Sequence, residues 1–339
     1  MINEAINKLV ERIDLEEDEM AEIIEQIMDG GATPSQIASF LTALRMKGEA
    51  VSEITGAAKV MLDKANRIQI SDEVVVDLCG TGGDHHGTFN VSTAASFIVA
   101  GAGVSVAKHG NRSVSSPVGS ADVLEALGAN IDYSLEHAQR CLRETGIVFL
   151  FAPLYHPAMK NVAVPRKEIG IRTIFNILGP ISNPAGVKHQ VIGVYSESLL
   201  DPIIKVLRNL GHTNAMVVHG SDAMDEFTVT GKTVVAELRD GMVKKYQFDP
   251  SELGLKKRKL EELKGGQTSQ ENAQIILSIF NGEEKEARRD IALLNAAAAI
   301  YVSDGESDFS QAFDRAVESL DSGKALAKLN QFIEFTKKQ

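Results

Sequence analysis

Cys79-Gly80-Thr81-Gly82-Gly83-Asp84 follows directly on the apolar run 74–78, and Asn90-Val91-Ser92-Thr93 stands a few residues further on. A glycine-rich turn between a strand and a helix exposes backbone N–H groups and aims a helix N-terminus outward, which favours a phosphate. A tight connection would explain the glycines equally well. Asn90, Ser92 and Thr93, however, crowd the first turn of a helix beginning near Asn90 or Val91, where capping requires one such side chain; the surplus points to a ligand. Two common phosphate loops are excluded. The run breaks the dinucleotide pattern G-x-G-x-x-G at its last position, where His85 stands, and no lysine followed by Ser or Thr closes it as in a P-loop.

A second apolar run, 104–107, ends in Lys108-His109-Gly110-Asn111-Arg112, followed by Ser113, Ser115 and Ser116. In an open parallel sheet the loops at the carboxyl ends of adjacent strands face one crevice, so this cationic loop belongs beside the glycine loop, where a ligand with several phosphates meets both. Read by itself it is also an ordinary solvated basic turn. Asp225 and Glu226 sit side by side after a third strand-like run, 215–220. Adjacent acids are commonly surface residues, but Mg²⁺ takes one or two carboxylates together with substrate phosphates and water. His85 and His86 read as a solvated turn, since two adjacent histidines rarely converge on one ion.

These loops need elements to position them. Residues 1–70 carry apolar residues at three- and four-residue spacing throughout, in four helical segments, with Thr33-Pro34 and Gln36 marking one start and Asp29–Gly31 one stop. From Val74 on, short β-branched runs alternate with helix-length stretches, the pattern of a mainly parallel sheet. Segment 162–186 fits no strand and is a candidate to return and pack on the helices; amphipathic helices follow from about Gln267. The expected fold class is α/β, a small all-helical domain (1–70, with 162–186 as its candidate addition) joined to a larger α/β domain (71–339) with a mainly parallel central sheet flanked by helices.

Taken in order, "GTGGD", "GTFNVST", "KHGNRSVSS", "RKEIGIRTIFNILGPISNP" and "MDE" resemble the anthranilate phosphoribosyltransferase family of tryptophan biosynthesis, over nearly the whole chain. The resemblance implies a homodimer that transfers phosphoribose from phosphoribosyl pyrophosphate to anthranilate with Mg²⁺, two ions per subunit. It implies that Gly80, Gly83, Asp84, Thr88, Asn90, Val91, Ser92 and Thr93 hold phosphoribosyl pyrophosphate. Lys108, His109, Gly110, Asn111, Arg112, Ser113, Val114, Ser115, Ser116 and Ser120 complete that site. By the same resemblance Asn111 and Arg166 contact anthranilate, with Gly80, His109, His156 and Gly179 around it, and Ser92, Asp225 and Glu226 are metal ligands. No general base is expected, because an aromatic amine is already neutral with its lone pair free.

A formal net charge of -11 argues against a nucleic-acid or membrane-surface protein, which needs a positive face. Two cysteines, Cys79 and Cys141, are too few for a disulfide framework and read as small buried residues. An acidic, helical N-terminus and the lack of a long apolar run place the chain in the cytoplasm. A pyrimidine nucleoside phosphorylase and a non-catalytic nucleic-acid-binding relative are the alternatives; the basic run Lys256–Lys259 is short and is followed at once by Glu261 and Glu262.

Overall fold

The computed structural model describes residues 1–70, 74–84, 86–113, 117–304 and 308–338; the expectations for His85, Val114, Ser115 and Ser116 lie outside the described residues. The chain begins with four helices, α1 (Ile2–Val10), α2 (Glu17–Met28), α3 (Pro34–Lys47) and α4 (Val51–Asp63). Their boundaries have local causes. Thr33 Oγ1 accepts from the Gln36 N–H at 3.3 Å while the Gln36 side chain accepts from the Thr33 N–H at 2.9 Å, and Pro34 takes the first helical position. This reciprocal cap satisfies two donors that a helix start otherwise leaves open.

The remainder alternates as expected: β1 (Val75–Gly80), α5 (Val91–Gly101), β2 (Ser105–Gly110), α6 (Ser120–Ala126), α7 (Leu135–Thr145), β3 (Ile147–Phe151), α8 (Ala152–Tyr155), α9 (Lys160–Ile169), α10 (Phe175–Ile181), β4 (His189–Gly193), α11 (Leu200–Asn209) and β5 (Asn214–Gly220). Then come β6 (Thr233–Arg239) and β7 (Met242–Phe248), and four helices, α12 (Ser269–Phe280), α13 (Ala287–Asp304), α14 (Phe309–Asp321) and α15 (Lys324–Lys337). Among the described residues seven strands form one sheet in the order β3-β2-β1-β4-β5-β6-β7, parallel from β3 to β5 and antiparallel beyond. The connection after β3 crosses β1 to enter β4, so the order reverses between β1 and β4; the crevice outside their carboxyl ends is where such sheets bind ligands.

Strand residues alternate between two apolar layers. Met216 and Val218 face the layer containing α5 and α12–α15, whereas Ala215 and Val217 face α11 and the N-terminal helices. The second layer also takes in Val162, Ile174, Phe175, Ile177, Leu178 and Ile181. Segment 162–186 thus folds as α9 and α10, despite Pro165 and Pro180 inside them, and packs among the first four helices.

Two sequence expectations change. The run 242–248 carried no strand expectation, yet it forms β7, an edge strand with most of its side chains exposed and hence without the alternation that marks a half-buried strand. Asp240 and Gly241, both at positive φ, turn the chain between Arg239 and Met242. Lys108 and His109 are not a solvated turn: they belong to β2 and are buried. Of the cysteines, Cys141 is buried and Cys79 half-buried. No helix among the described residues is long and apolar enough to cross a membrane.

Candidate active site

Lys108 is held by β1 and by the first turn of α5, with buried Asp77 near its charge. β1 and β2 pair at Val75–Ser105 and Val76–Val106. Beyond that point the Asp77 carboxylate accepts the His109 N–H at 3.3 Å, and Lys108 Nζ donates to the Leu78 carbonyl at 2.7 Å and to Ser92 Oγ at 3.1 Å. Burial pushes the Asp77 carboxyl up and the Lys108 charge pulls it back. A buried cation with an acid behind it is held where its field acts on the mouth of the crevice, in a medium of low dielectric.

The glycine loop is tied on three sides. Thr81 N–H donates to Gly193 O at 2.9 Å, Thr81 Oγ1 accepts from Tyr195 N–H at 3.1 Å, and Gly82 N–H donates to Asp225 Oδ2 at 2.6 Å. Gly82 and Gly83 have φ of 71° and 76°, the left-handed region that glycine enters without cost. Gly80 pairs with Gly193 across β1 and β4, and a Cβ on either would overlap Asp225. The two strand ends are therefore bare so that the acidic loop can rest on them.

At the start of α5, Asn90 Nδ2 donates to Val118 O at 3.1 Å, but Asn90 Oδ1 and Thr93 Oγ1 are buried without a hydrogen-bond partner. Buried polar atoms are almost always paired, so these two, at the first turn of a helix, mark a place for a polar ligand.

Asp84, Asp225 and Glu226 converge on the same corner. Burial first, then the Asp84 charge, raises the Asp225 carboxyl to about 7. Burial and the Asp225 charge push Glu226 well above the usual carboxylate range, partly offset by Lys108. Acids held this way are short of a cation. No three His, Cys, Asp or Glu side chains among the described residues form a ready cage, so the carboxylates offer a partial ligand set of the kind Mg²⁺ completes with substrate oxygens and water. Ser92, whose hydroxyl meets Lys108 and whose N–H serves Glu226, lies within the same cluster.

On the acceptor side, His109 Nδ1 lies 3.2 Å from Gly179 O, and its ring stands 5.2 Å from that of His156, whose Nε2 lies 3.0 Å from Ser182 O. His109, His156 and Gly179 thus meet, as expected. Burial, reinforced by His156, lowers His109 to about 3, which keeps it neutral at physiological pH with Nδ1–H donating to the carbonyl. Arg166, on α9, is half-buried with its guanidinium 5.3 Å from the Phe175 ring centroid and no carboxylate partner among the described residues; burial pulls its pKa down. Phe175 opens α10, the helix that also carries Gly179. A half-buried guanidinium with no counter-ion among the described residues is suited to an incoming carboxylate.

The other expected residues make local contacts. Arg112 is exposed and pairs with Glu125 at 2.6 Å and Asp122 at 2.9 Å, so its fork is already occupied. Ser120 Oγ donates to Asn111 O at 3.2 Å and Thr88 bridges to Lys264, both shaping loops. Gly110 lies close against Ser120 and Phe149, Val91 is buried, Ser113 N–H donates to Asp122, and Asn111 is exposed at the rim. Sequence reasoning missed Asp77, an acid inside an apolar run; Gly193, a glycine at a strand end; and Asn295, which grips the Phe227 backbone from α13 through hydrogen bonds of 3.0 and 2.9 Å. The first two were visible as anomalies of pattern. Nothing local marks Asn295.

The histidine assignment has a consequence for stability. An imidazole held near 3 when folded and at its ordinary 6.5 when unfolded gives the folded state full benefit above 6.5, lost as the pH falls toward 3. His109→Asn should therefore gain on the wild type by about 2–3 kcal/mol between pH 7 and pH 4.5, measured as the change in their stability difference by urea unfolding. An unchanged difference would show that the ring is accessible to protons.

The fold agrees with what this chain is similar to. Residues 72–326 match the a/b domain of a glycosyl transferase family and residues 3–65 its helical bundle domain. The anthranilate phosphoribosyltransferase of Petrotoga mobilis is 52% identical over 336 residues, covering 99% of this chain and 97% of the relative. The crystal structure of the Thermus thermophilus anthranilate phosphoribosyltransferase superposes with a TM-score of 0.93 at 39% identity, covering 98% of this chain and 99% of the other. The Saccharomyces cerevisiae enzyme, solved with PRPP and Mg, gives 0.91 at 28% identity over 100% of this chain and 98% of the other; its complex with 4-fluoroanthranilate gives 0.89 at 28% over the same shares. With identity above one half along almost its full length, the chain belongs to the anthranilate phosphoribosyltransferases.

Proposed function

We propose that the chain transfers the 5-phosphoribosyl group from phosphoribosyl pyrophosphate to the amine of anthranilate, releasing pyrophosphate, as a step of tryptophan biosynthesis. What supports this reading is the presence of two unlike half-sites, linked where Lys108 and His109 follow each other on β2. A glycine loop with a helix N-terminus, a buried lysine and acids raised by burial belong to one, and a half-buried arginine without a carboxylate partner among the described residues and neutral histidines to the other.

In the reaction the bond from ribose C1 to the pyrophosphate oxygen breaks, the anthranilate nitrogen bonds to C1, and the amine then loses one proton to solvent. The developing positive charge on ribose needs no base for its formation; it needs a stabilised leaving anion and an aligned nucleophile. Lys108 and the glycine-loop N–H groups not already paired receive the diphosphate. Ser92, Asp225, Glu226 and the neighbouring Asp84 would hold Mg²⁺, two ions per subunit, which when bound neutralise charge on the diphosphate. Arg166 pairs with the anthranilate carboxylate, Asn111 stands at the rim, and His109 shapes the pocket, its low basicity unsuited to abstracting a proton. Loss of anthranilate fluorescence on mixing with phosphoribosyl pyrophosphate, with and without Mg²⁺, tests the whole reading; no change under any condition would sink it.

Arg166→Ala should raise the KM for anthranilate about 10–100-fold, the worth of a charge-assisted hydrogen bond, and leave that for phosphoribosyl pyrophosphate within about threefold. Steady-state kinetics with each substrate varied in turn decide it, and equal effects would remove Arg166 from the acceptor site.

Full-length identity to phosphoribosyltransferases favours this reading over phosphorolysis, and the basic run offers nucleic acid little, since Arg258 is taken by Asp290 at 2.8 Å and by Glu286. We further propose a homodimer in the cytoplasm. Val10, Ile13 and Met46 are exposed apolar residues of the first three helices and their connections, and Val164 adds another on α9, which packs on α3. Sedimentation velocity reports the dimer mass. The helical domain is read as 1–70 joined by 162–186, on the strength of their shared apolar layer, and the α/β domain as the rest of 71–339.

A further inference from the structure

Arg172 occupies a junction that the reaction as derived does not use. The chain leaves α9 through Gly170 at φ 62°, and two residues later the Arg172 guanidinium lies 4.1 Å from the Tyr195 ring centroid and donates through Nη2 to the Gly83 carbonyl. Gly83 is shaped for this approach, because a Cβ there would come within 2.8 Å of the same nitrogen. Tyr195 follows β4 and is itself anchored, its N–H donating to Thr81 Oγ1 at 3.1 Å. The glycine loop, the end of β4 and the linker between α9 and α10 are therefore joined at one side chain.

The consequence follows from peptide geometry. In a trans peptide the carbonyl of one residue and the N–H of the next point in opposite directions. Drawing the Gly83 carbonyl onto Arg172 turns the Asp84 N–H away from it. Gly82 N–H is already given to Asp225. Among the described residues the Asp84 N–H meets no acceptor, so it is a loop donor left for a phosphate oxygen, and its direction is set from outside the loop. We propose that Arg172, seated on Tyr195, is a positioning residue for the diphosphate: it fixes the Gly83–Asp84 peptide in the orientation that receives the leaving group. This deepens the phosphoribosyl-transfer reading and rests on it. Because a planar fork both stacks and donates, lysine cannot replace it.

The test uses full-length Arg172→Ala, Arg172→Lys, Tyr195→Leu, Tyr195→Phe and the Arg172→Ala/Tyr195→Leu double variant. Readouts are both KM values, pyrophosphate binding by calorimetry without acceptor, and thermal melting. Arg172→Ala should raise the KM for phosphoribosyl pyrophosphate and the Kd for pyrophosphate about 10–100-fold, with the KM for anthranilate within about threefold. Arg172→Lys should recover little, whereas Tyr195→Phe, which keeps the ring, should recover most of what Tyr195→Leu loses. The double variant should be no worse than Arg172→Ala, since the two side chains act as one unit. Equal changes in both KM values, a melting shift with pyrophosphate affinity intact, or losses that multiply in the double variant would each overturn the proposal. A wild-type chain that binds pyrophosphate yet transfers nothing would refute the transferase reading instead, and the pyrophosphate affinities would still decide on Arg172.

Discussion

Gly193→Ala is expected to lower kcat/KM at least about a hundredfold and to destabilise the fold by about 1–3 kcal/mol, although Gly193 is not expected to touch either substrate. Its φ is not in the left-handed region, so alanine fits the strand conformation. The effect is steric: the new Cβ would fall inside the carbonyl group of Asp225. That carbonyl cannot yield freely, because Gly82 N–H holds the Asp225 side chain at 2.6 Å and Asn295 brackets the nearby backbone of Phe227 at 3.0 and 2.9 Å. The acidic loop must therefore shift as a body, and a displacement of about 1 Å at a reacting centre costs on the order of a hundredfold. Gly82→Ala is the contrast: nothing lies within 4 Å of its Cβ, but φ of 71° strains any other residue by about 1–2 kcal/mol. Gly82→Ala should raise the KM for phosphoribosyl pyrophosphate with an unaltered Mg²⁺ midpoint, whereas Gly193→Ala should move the Mg²⁺ midpoint upward. Titrating the rate with Mg²⁺ in both variants separates them, and coincident midpoints would refute the steric account.

That contrast also shows what a sequence can reveal of such a site. The glycine loop, the crowded start of α5 and the Asp225–Glu226 pair were legible because each is a local departure from what a strand–turn–helix connection requires. The helices of the first 63 residues were legible from spacing, since each buries one continuous face. Lys108 was misplaced as a loop residue because its partners, Leu78 O and Ser92 Oγ, lie on other elements, and no periodicity along one strand reports its neighbour. Arg112 stood within a basic motif, but α6 supplies Asp122 and Glu125 to neutralise it. β7 escaped because an exposed edge strand carries no apolar alternation. Asn295 escaped for the deeper reason that its partner, Phe227, is 68 residues away. What the sequence conceals is cross-element pairing, and the supports of this site are of that kind.

Asp225→Asn combined with Glu226→Gln should have opposite effects on function and on stability. Both carboxyls are raised in the folded protein, chiefly by burial, Asp225 to about 7. A carboxyl raised above its unfolded value is a liability at high pH, because folding must then keep a charge out of water; the cost is absent below the unfolded value of about 4 and grows as pH rises toward the folded one. Replacing both by neutral amides of the same shape removes that cost, while Lys108 keeps Asp77 behind it. In metal-free buffer the double variant should therefore melt above the wild type at pH 8, and the gap should close by about pH 4. Transfer should fall by about 10³-fold or more, and the rate should lose its saturable response to Mg²⁺, since two of the oxygens a divalent ion requires are gone. Mg²⁺ itself should raise the melting temperature of the wild type and not that of the variant, by the linkage that stabilises whichever state binds the ligand. A variant that melts lower than the wild type at pH 8 would mean that the acids are satisfied within the protein, and a normal Mg²⁺ response would return them to a purely structural part.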